Sequence, residues 1–212
     1  MFSIRVVTTL HEFEALAERW NCLLRRTAAD NIFLTWEWLY TWARHYLGAH
    51  RLWIILVYNN RDELVGIAPF YIEELTRFGL LRCREVRFLG TRGVSSSYLD
   101  FIIPEKHKKT VLPLIYQFLH GEGRDLWDTL TLSEIPAASS TLNLWQGLVQ
   151  DAGKALDIVG RTVCPVINLP TDVEEFKRSI SGNQRYNLKR KRKRLEQAGH
   201  VAYERICATK DT

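Results

Sequence analysis

The sequence predicts an α+β fold, in which helices cover the faces of a sheet. Three observations support this class. Short β-prone runs alternate with segments that carry one apolar face at helical spacing. The middle of the chain has consecutive strand-like runs joined by turn residues, which is typical of antiparallel pairing. With 46% hydrophobic residues among 212, the chain can also bury the core that such a sheet needs.

The first part of the chain predicts one strand and two helices. Residues 4–8 are β-prone. Thr9 and Glu12 have the spacing of a capping box, and they open a helix whose apolar face extends to Leu24. Residues 36–47 carry a second apolar stripe at the same spacing, which predicts the second helix.

The middle of the chain predicts a series of strands. Residues 52–58 and 64–72 are β-prone runs on either side of a short polar turn. Pro69 cannot donate a ladder hydrogen bond, so we expect the second strand to lie at a sheet edge or to carry a bulge. Residues 85–89 and 98–103 follow as further strands, separated by a segment rich in Gly and Ser.

The next region predicts two helices and three strands. One helix has its inner face between Val111 and Phe118, and Pro113 predicts that this helix starts late or kinks. The other helix has an apolar face over residues 142–149. The strands are expected at residues 129–132, 155–159 and 163–169.

The C-terminal part predicts two consecutive helices. Thr171 and Glu174 have the spacing of a second capping box, which starts the first of them. Gly182 ends this helix, and a basic helix begins there with Gly199 as its C-terminal cap. Residues 201–206 have strand character.

The basic helix holds the excess positive charge of the chain. Between Arg185 and Arg194 there are seven Lys or Arg residues and no acid. Removing those seven from the 29 basic residues leaves 22 against 24 acidic ones, so the pI of about 9.1 comes from this segment. Two interpretations remain open: a solvated connector, and a helix that faces phosphate or nucleic acid. Tyr186 is its only aromatic residue, which gives little support to base stacking.

The composition excludes several classes of protein and site. No run of residues is long and apolar enough for a membrane span, and the N-terminal residues lack a signal-peptide pattern. The four Cys residues lie far apart without a C-x-x-C pair, which indicates reduced thiols in a cytoplasmic protein. The six His residues do not share metal-ligand spacing, so no metal site is predicted.

Five short stretches resemble the acetyltransferase family associated with cellulose and exopolysaccharide biosynthesis, which is distantly similar to the Fem-type aminoacyltransferases of peptidoglycan. The stretches are FLTWEW at 33–38, LVGIAPF at 64–70, YLDF at 98–101, CPVINLP at 164–170 and RYNLKR at 185–190. The order of the predicted elements also resembles the GNAT acyltransferase fold. The resemblance spans nearly the whole chain and implies a GNAT-like mixed, mostly antiparallel sheet with helices on both faces.

Members of that family have two GNAT-like halves joined by a basic helix. The resemblance therefore implies an N-terminal GNAT-like domain at residues 1–180, a linker helix at 181–199 and the first strand of a second domain at 200–212. The second domain would be supplied in cis or by another subunit. The implied reaction transfers an acetyl or other acyl group from acyl-coenzyme A, or from aminoacyl-tRNA in the Fem branch, to an amine acceptor. That acceptor is a small molecule or glycan-linked, which suggests envelope or polysaccharide metabolism.

The chain departs from the GNAT pattern where the coenzyme pyrophosphate is held. A GNAT domain uses a (Gln/Arg)-x-x-Gly-x-(Gly/Ala) loop there, because glycines let backbone N–H groups approach the phosphates. Residues 104–109 contain no glycine, and the nearest approximation, which begins at Arg87, has Arg92 in its last position. We therefore expect acetyl-coenzyme A to serve the full-length protein without being bound by this half, which by itself is inactive.

Candidate substrate-binding residues lie in two of the resembling stretches. Asp100 stands beside Tyr98 in a predicted strand, where its carboxylate could orient an acceptor or instead cap the preceding Ser-rich loop. Arg185, Asn187 and Arg190 could hold an anionic acceptor or merely cover the surface. No catalytic residue is assigned, because no Ser-His-Asp or Cys-His arrangement has a local signature.

Two other functions remain as alternatives to acyl transfer. The first is a nucleic-acid-binding module, for tRNA or another RNA, that acts through the basic helix at residues 185–194. The second is an interaction domain without catalysis, whose open sheet edge receives a partner strand.

Overall fold

The computed structural model describes residues 2–77, 81–94, 96–202 and 204. It divides the chain into two compact units, Met1–Ile158 and Val159–Thr212. The first unit contains the sheet, and the second contains the basic helix. The predicted α+β class is confirmed.

The first unit has five strands and five α-helices within the residues described. In chain order these are β1 (Ser3–Val7), α1 (Leu10–Glu14), α2 (Ala17–Leu24), α3 (Trp36–Tyr46), β2 (Arg51–Tyr58), β3 (Leu64–Arg77), β4 (Leu81–Phe88), α4 (Glu105–His120), β5 (Thr129–Thr131) and α5 (Ser140–Asp151). This order follows the predicted order through α5 with two exceptions: the first predicted helix is divided into α1 and α2, and the strand predicted at residues 98–103 is absent. The capping box of Thr9 and Glu12 is present at α1, as predicted.

The strands form one sheet in the order β1-β2-β3-β4-β5. All neighbouring strands are antiparallel except β4 and β5, which run parallel, with Glu85 opposite Thr129 and Arg87 opposite Thr131. A connection through a helix is what a parallel pair requires, and α4 provides it. The predicted mixed, mostly antiparallel sheet is therefore confirmed.

Helices cover both faces of the sheet. Consecutive residues of a strand point to opposite faces, so Phe70 and Tyr71 of β3 mark the two sides. The Tyr71 ring lies 5.1 Å from that of Trp42 on α3. On the other side, Phe70 contacts Phe101, whose ring stacks on Trp145 of α5 at 5.2 Å. All five aromatic side chains are buried.

Strand β3 lies at the centre of the sheet and not at an edge, and it carries the bulge that Pro69 predicted as the alternative, where its register on β2 shifts between Gly66 and Leu64. The Pro69 carbonyl accepts a hydrogen bond from the Leu89 N–H, just beyond the end of β4. Two residues earlier, Ile67 forms a single antiparallel bridge with Ile102. Pro69 therefore lies between the part of β3 that pairs with β4 and the residue that pairs with Ile102. No strand hydrogen bond requires an N–H at this position, so proline is tolerated there.

Several predicted strands are absent from the described residues. Residues 98–103 form no strand, and only Ile102 bridges to β3. Residues 155–159 and 163–169 have no regular structure and are exposed. A β-prone run becomes a strand only when it finds a pairing partner, which these segments lack. The strand predicted at 201–206 lies largely outside the described residues.

Helix α4 begins eight residues before Pro113, so the predicted late start is wrong. Its buried face includes Val111, Leu112, Ile115 and Leu119, all fully inaccessible to solvent. Burial of this face stabilises the helix despite the hydrogen bond that proline removes.

The second unit contains α6 (Val173–Ser179) and α7 (Gly182–Ala198). The side chain of Asp172, not the predicted Thr171, caps α6 by accepting a hydrogen bond from the Glu174 N–H. Ser181 and Gln184 form a capping box at the start of α7. The predicted basic helix is therefore confirmed. In the part of the chain described, no helix is both long and apolar enough to cross a membrane.

We expect alanine at Gly66 to destabilise the protein and alanine at Gly147 to stabilise it. A Cβ at Gly66 would lie 2.5 Å from Val111 Cγ1, whereas one at Gly147 in α5 would meet no atom within 4 Å. Gly66→Ala should lower the free energy of unfolding by about 1–3 kcal/mol through overpacking. Gly147→Ala should raise it by about 0.5–1 kcal/mol, because glycine is unfavourable inside a helix. Urea denaturation followed by circular dichroism measures both, and equal effects would contradict this description of the β3–α4 contact.

Candidate functional site

The five predicted substrate-binding residues fall in different units of the chain. Tyr98 and Asp100 belong to the first unit, in the segment that leads from β4 to α4. Arg185, Asn187 and Arg190 belong to α7 in the second unit.

Asp100 lies at the centre of a polar cluster, the Asp100–Lys108 cluster, which also includes Glu105, Ser139 and Ser140. Asp100 and Lys108 are 2% and 4% exposed. The carboxylate accepts hydrogen bonds from the Phe101 N–H and the Ser139 hydroxyl, and its Oδ2 lies 4.0 Å from Lys108 Nζ. This charge is therefore buried with an opposite charge and two hydrogen-bond donors beside it.

Ser139 explains how this cluster is built from the sequence. Its side chain accepts from the Thr141 N–H, so Ser139 is the N-cap of α5. Its hydroxyl also donates to Asp100, which joins the start of α5 to the segment before α4. Asp100 was predicted to orient an acceptor or to cap the preceding Ser-rich loop, and among the described residues its carboxylate accepts from the Phe101 N–H and the Ser139 hydroxyl. Its role toward an acceptor stays a prediction.

Tyr98 has a different environment from Asp100. Its side chain is 39% exposed, and its backbone adopts the left-handed conformation with φ of +58°. The Tyr98 carbonyl accepts a hydrogen bond of 3.0 Å from the Asn31 amide. The backbone is thereby held in place while the side chain faces solvent, an arrangement compatible with contact to a ligand.

The start of α4 borders a cavity of about 470 Å³. The cavity is lined by Glu105, Lys106, Lys109, Ser140, Asn143 and Leu144. Pro104 is the N-cap and provides no side-chain hydrogen bond to the helix. Glu105 places a carboxylate in the first turn, where it interacts favourably with the helix dipole.

Internal contacts occupy the polar groups around Glu105. Its Oε2 accepts from the Ser140 hydroxyl at 3.1 Å and lies 3.4 Å from Lys108 Nζ. Burial lowers the pKa of His107, and the nearby positive charges of Lys106 and Arg26 lower it further. His107 is therefore neutral at pH 7 and adds no positive charge near the helix start.

These residues do not fit a pyrophosphate. A phosphate at a helix N-terminus is bound by exposed backbone N–H groups that only glycines let it approach. Here the first turn begins with proline and glutamate, and Glu105 and Asp100 are already paired with Lys108. Lys106 and Lys109 border the cavity, and so does Glu105, whose carboxylate opposes an incoming anion.

The α7 residues make local contacts within the second unit. Arg185 Nη1 donates to the carbonyls of Lys177 and Ile180, at 2.8 and 3.1 Å, and so satisfies groups at the end of α6. The Asn187 amide donates to Asn183. Arg190 lies over the ring of Tyr186, at 5.8 Å from its centre. Tyr186 is the sole aromatic side chain of α7.

Helices α6 and α7 border a groove of about 560 Å³ within the second unit. It is lined by Ile167, Phe176, Ser179, Ile180, Gln184, Asn187, Leu188 and Lys191. Asn187 thus belongs to a concave surface, whereas Arg185 and Arg190 do not line it.

The structure reveals a second polar cluster that the sequence analysis missed. Glu73 of β3 and Glu85 of β4 stand directly opposite each other, and we call them the acid pair. Their side chains are nearly inaccessible, at 3% and 4% exposure. Arg87 reaches both, with nitrogen–oxygen distances of 3.3 and 3.2 Å. The sequence could have indicated Glu73 as a charged residue within an apolar strand. It could not have indicated Glu85 as its neighbour, because that depends on how β3 pairs with β4.

Comparison with known proteins gives no family assignment from sequence. No family model matches the chain. No curated protein matches it either. Among the described residues, no group of three or more His, Cys, Asp and Glu side chains is arranged to bind a metal ion.

Several solved structures with a similar chain course are named as acetyltransferases. The ribosomal-protein-alanine N-acetyltransferase of Brucella melitensis biovar Abortus 2308 is 13% identical, with a TM-score of 0.45 over 78% of this chain and 100% of that one. Glucosamine-6-phosphate N-acetyltransferase of Arabidopsis thaliana is 9% identical, with a TM-score of 0.41 over 77% and 98%. The aminoglycoside 6′-N-acetyltransferase of Acinetobacter baumannii is 12% identical, with a TM-score of 0.41 over 79% and 100%. At these identities and scores, the likeness carries no weight for substrate or mechanism.

Proposed function

We propose that this chain is the acceptor-side half of a tandem GNAT-type acyltransferase. In this proposal an acetyl or other acyl group passes from acyl-coenzyme A to an amine acceptor, which is a small molecule or glycan-linked. The donor is held by a second GNAT-like domain, in cis or in another subunit. Residues 1–180 form the first domain, 181–199 the linker helix, and 200–212 the first strand of the second domain. The cellulose and exopolysaccharide acetyltransferase resemblance supports a role in envelope or polysaccharide metabolism.

The single observation that supports binding of the acyl donor by the other half is the structure at the start of α4. A GNAT half that binds the donor needs an accessible, glycine-bearing phosphate loop at this position. Here Pro104 and Glu105 begin the helix, and Glu105 is held by Ser140 and Lys108. Coenzyme binding by this half would require these internal contacts to be broken.

Tyr98 and Asp100 are the proposed acceptor-side residues of the first domain. Tyr98 has the exposure needed to contact a ligand. Asp100 is proposed to act indirectly: the hydrogen bonds of its carboxylate hold in place the segment that carries Tyr98. Arg185, Asn187 and Arg190 remain proposed contacts of an anionic part of the acceptor.

Calorimetric titration with acetyl-coenzyme A tests the proposal. We expect no binding to this chain at up to millimolar ligand, and binding to the native protein or complex that contains it. The variant Lys106→Ala/Lys109→Ala shows whether any binding that is measured takes place at the cavity beside α4. Tight binding by this chain alone, lost in that variant, would contradict the assignment of the donor to the other half.

A further inference from the structure

The second unit carries the whole net positive charge of the protein. Residues 159–212 contain twelve Lys and Arg against six Asp and Glu, a net charge of +6. Residues 1–158 contain seventeen against eighteen, a net charge of −1. A charge distribution this uneven creates a positive potential around one part of the molecule and attracts polyanions to it. The side chains around the charges indicate which polyanion fits.

The positive charge of α7 is largely unneutralised within the described part of the chain. Of the seven Lys and Arg between Arg185 and Arg194, only Arg192 forms an ion pair with an acid there, which is Glu196 at 2.8 Å. Like charges three or four residues apart on a helix repel and destabilise it. An anionic surface beside α7 would relieve this repulsion, so its binding is favoured by the helix itself.

Exposed apolar side chains lie beside these charges. Leu188 and Leu195 are seven residues apart, so they lie on the same side of α7, and each is 54% exposed. Leu188 lines the groove between α6 and α7, and Ile167, which is 73% exposed, lines it from the segment before α6. Lys191 lines the same groove, three residues after Leu188. We call these four residues the α7 docking face.

Two further cations flank the α7 docking face. Arg192 follows Leu188 by four residues, and Arg194 directly precedes Leu195; both side chains are exposed. The apolar stems of Lys and Arg can lie along an apolar surface while the charged groups extend away from it. Apolar and cationic groups of this face can therefore be engaged at the same time, in two different environments.

We infer that the α7 docking face binds the surface of an anionic lipid bilayer. The two leucines and Ile167 enter the boundary between head groups and acyl chains, where apolar side chains of interfacial helices lie. Lys191, Arg192 and Arg194 contact the lipid phosphates, since a cluster of cations on a helix is attracted to a negatively charged membrane surface. The chain is thus held on the membrane surface by two kinds of contact, each of them weak.

The apolar side chains favour a bilayer over nucleic acid as the polyanion. Cations alone suffice for a phosphodiester backbone, which has no apolar phase to receive leucines. Proteins that bind single strands add aromatic side chains on which bases stack, and Tyr186 is the sole aromatic residue of α7. Exposed leucines on a cationic helix therefore have a use at a lipid surface that they lack on RNA.

Co-sedimentation of the chain with phospholipid vesicles tests the inference. We expect binding to vesicles of equal parts phosphatidylglycerol and phosphatidylcholine, and none to vesicles of phosphatidylcholine alone, because the latter carry no net charge. Binding should weaken about tenfold or more when NaCl is raised from about 0.1 M to about 0.5 M, since salt screens exposed charges. Single-stranded poly(U) RNA, followed by fluorescence anisotropy, is the competing ligand.

Two double variants separate the contribution of charge from that of apolar contact. Lys191→Gln/Arg194→Gln should weaken vesicle binding about tenfold or more, because each cation near an anionic surface strengthens binding about fivefold. Leu188→Gln/Leu195→Gln keeps the charge and the helix propensity, and should weaken binding about fivefold or more through loss of apolar burial. The side chains replaced in both variants are exposed, so the fold is retained.

Matched controls come from the first unit. Lys106→Gln/Lys109→Gln removes two exposed cations, and Ile32→Gln removes a side chain that is 63% exposed. Both should leave vesicle binding unchanged. Binding that is absent, independent of phosphatidylglycerol, or unchanged in the leucine variant would overturn the inference. Binding of poly(U) without binding of the anionic vesicles would assign the charge of α7 to nucleic acid instead. No acyl donor or acceptor takes part, so the outcome is independent of the proposed function.

Discussion

Replacing Lys108 with methionine should lower the free energy of unfolding by about 3–5 kcal/mol, as expected when one partner of a buried ion pair is removed. Methionine keeps the length and apolar stem of the side chain, so the loss comes from the charge. Without Lys108, Asp100 would remain buried with only the Phe101 N–H and the Ser139 hydroxyl. Urea denaturation at pH 7 gives the change directly.

Two further variants test whether the destabilisation comes from the Asp100–Lys108 ion pair or from removing any lysine of α4. Lys109→Met, at an exposed neighbouring position of α4, should change stability by less than about 0.5 kcal/mol. Asp100→Asn combined with Lys108→Met should recover much of the loss, because the double variant buries no unpaired charge. A double variant as unstable as Lys108→Met would show that the charge pair is not the cause.

Truncating Phe101 to alanine should cost about 3–5 kcal/mol, since it leaves a cavity that the surrounding core cannot fill. Phe101 is fully buried. Its ring stacks on Trp145 and meets Phe70 and Phe88 edge-on, at centroid distances of 5.5 and 5.4 Å. The side chain thus joins α5 to two strands through aromatic contacts that add to simple area burial.

Phe2→Ala is the matched control for Phe101→Ala, because Phe2 is 36% exposed at the end of the chain. Its truncation should change the melting temperature by only a few degrees at most. Thermal unfolding followed by near-ultraviolet circular dichroism reports both variants. A Phe101→Ala protein as stable as Phe2→Ala would mean that α5 does not depend on this aromatic contact.

The features that the sequence predicted correctly depend on local chemistry. Thr9 and Glu12 are three residues apart, and their mutual hydrogen bonds need no other part of the chain. The basic helix has strong helix formers and begins at a capping box, so it forms with few tertiary contacts. The strands around the turn at 59–62 are also neighbours in sequence.

The features that it missed depend on distant partners. Residues 155–159 have the composition of a strand, but they pair with no strand among the residues that the structure describes. Pro69 predicted an edge or a bulge, and neither the central place of β3 nor the gap between β4 and Ile102 can be inferred from a single strand. The acid pair arises from the register of β3 on β4, and each glutamate by itself carries no sign of the other.

The parallel edge of the sheet has a consequence for association between chains. β5 is three residues long, so it has few unpaired backbone N–H and C=O groups with which a strand of another chain could pair. Such brevity protects against intermolecular strand addition and the fibrous polymers that follow from it. A partner that joins the protein on that side must therefore recognise side chains, not extend the backbone ladder.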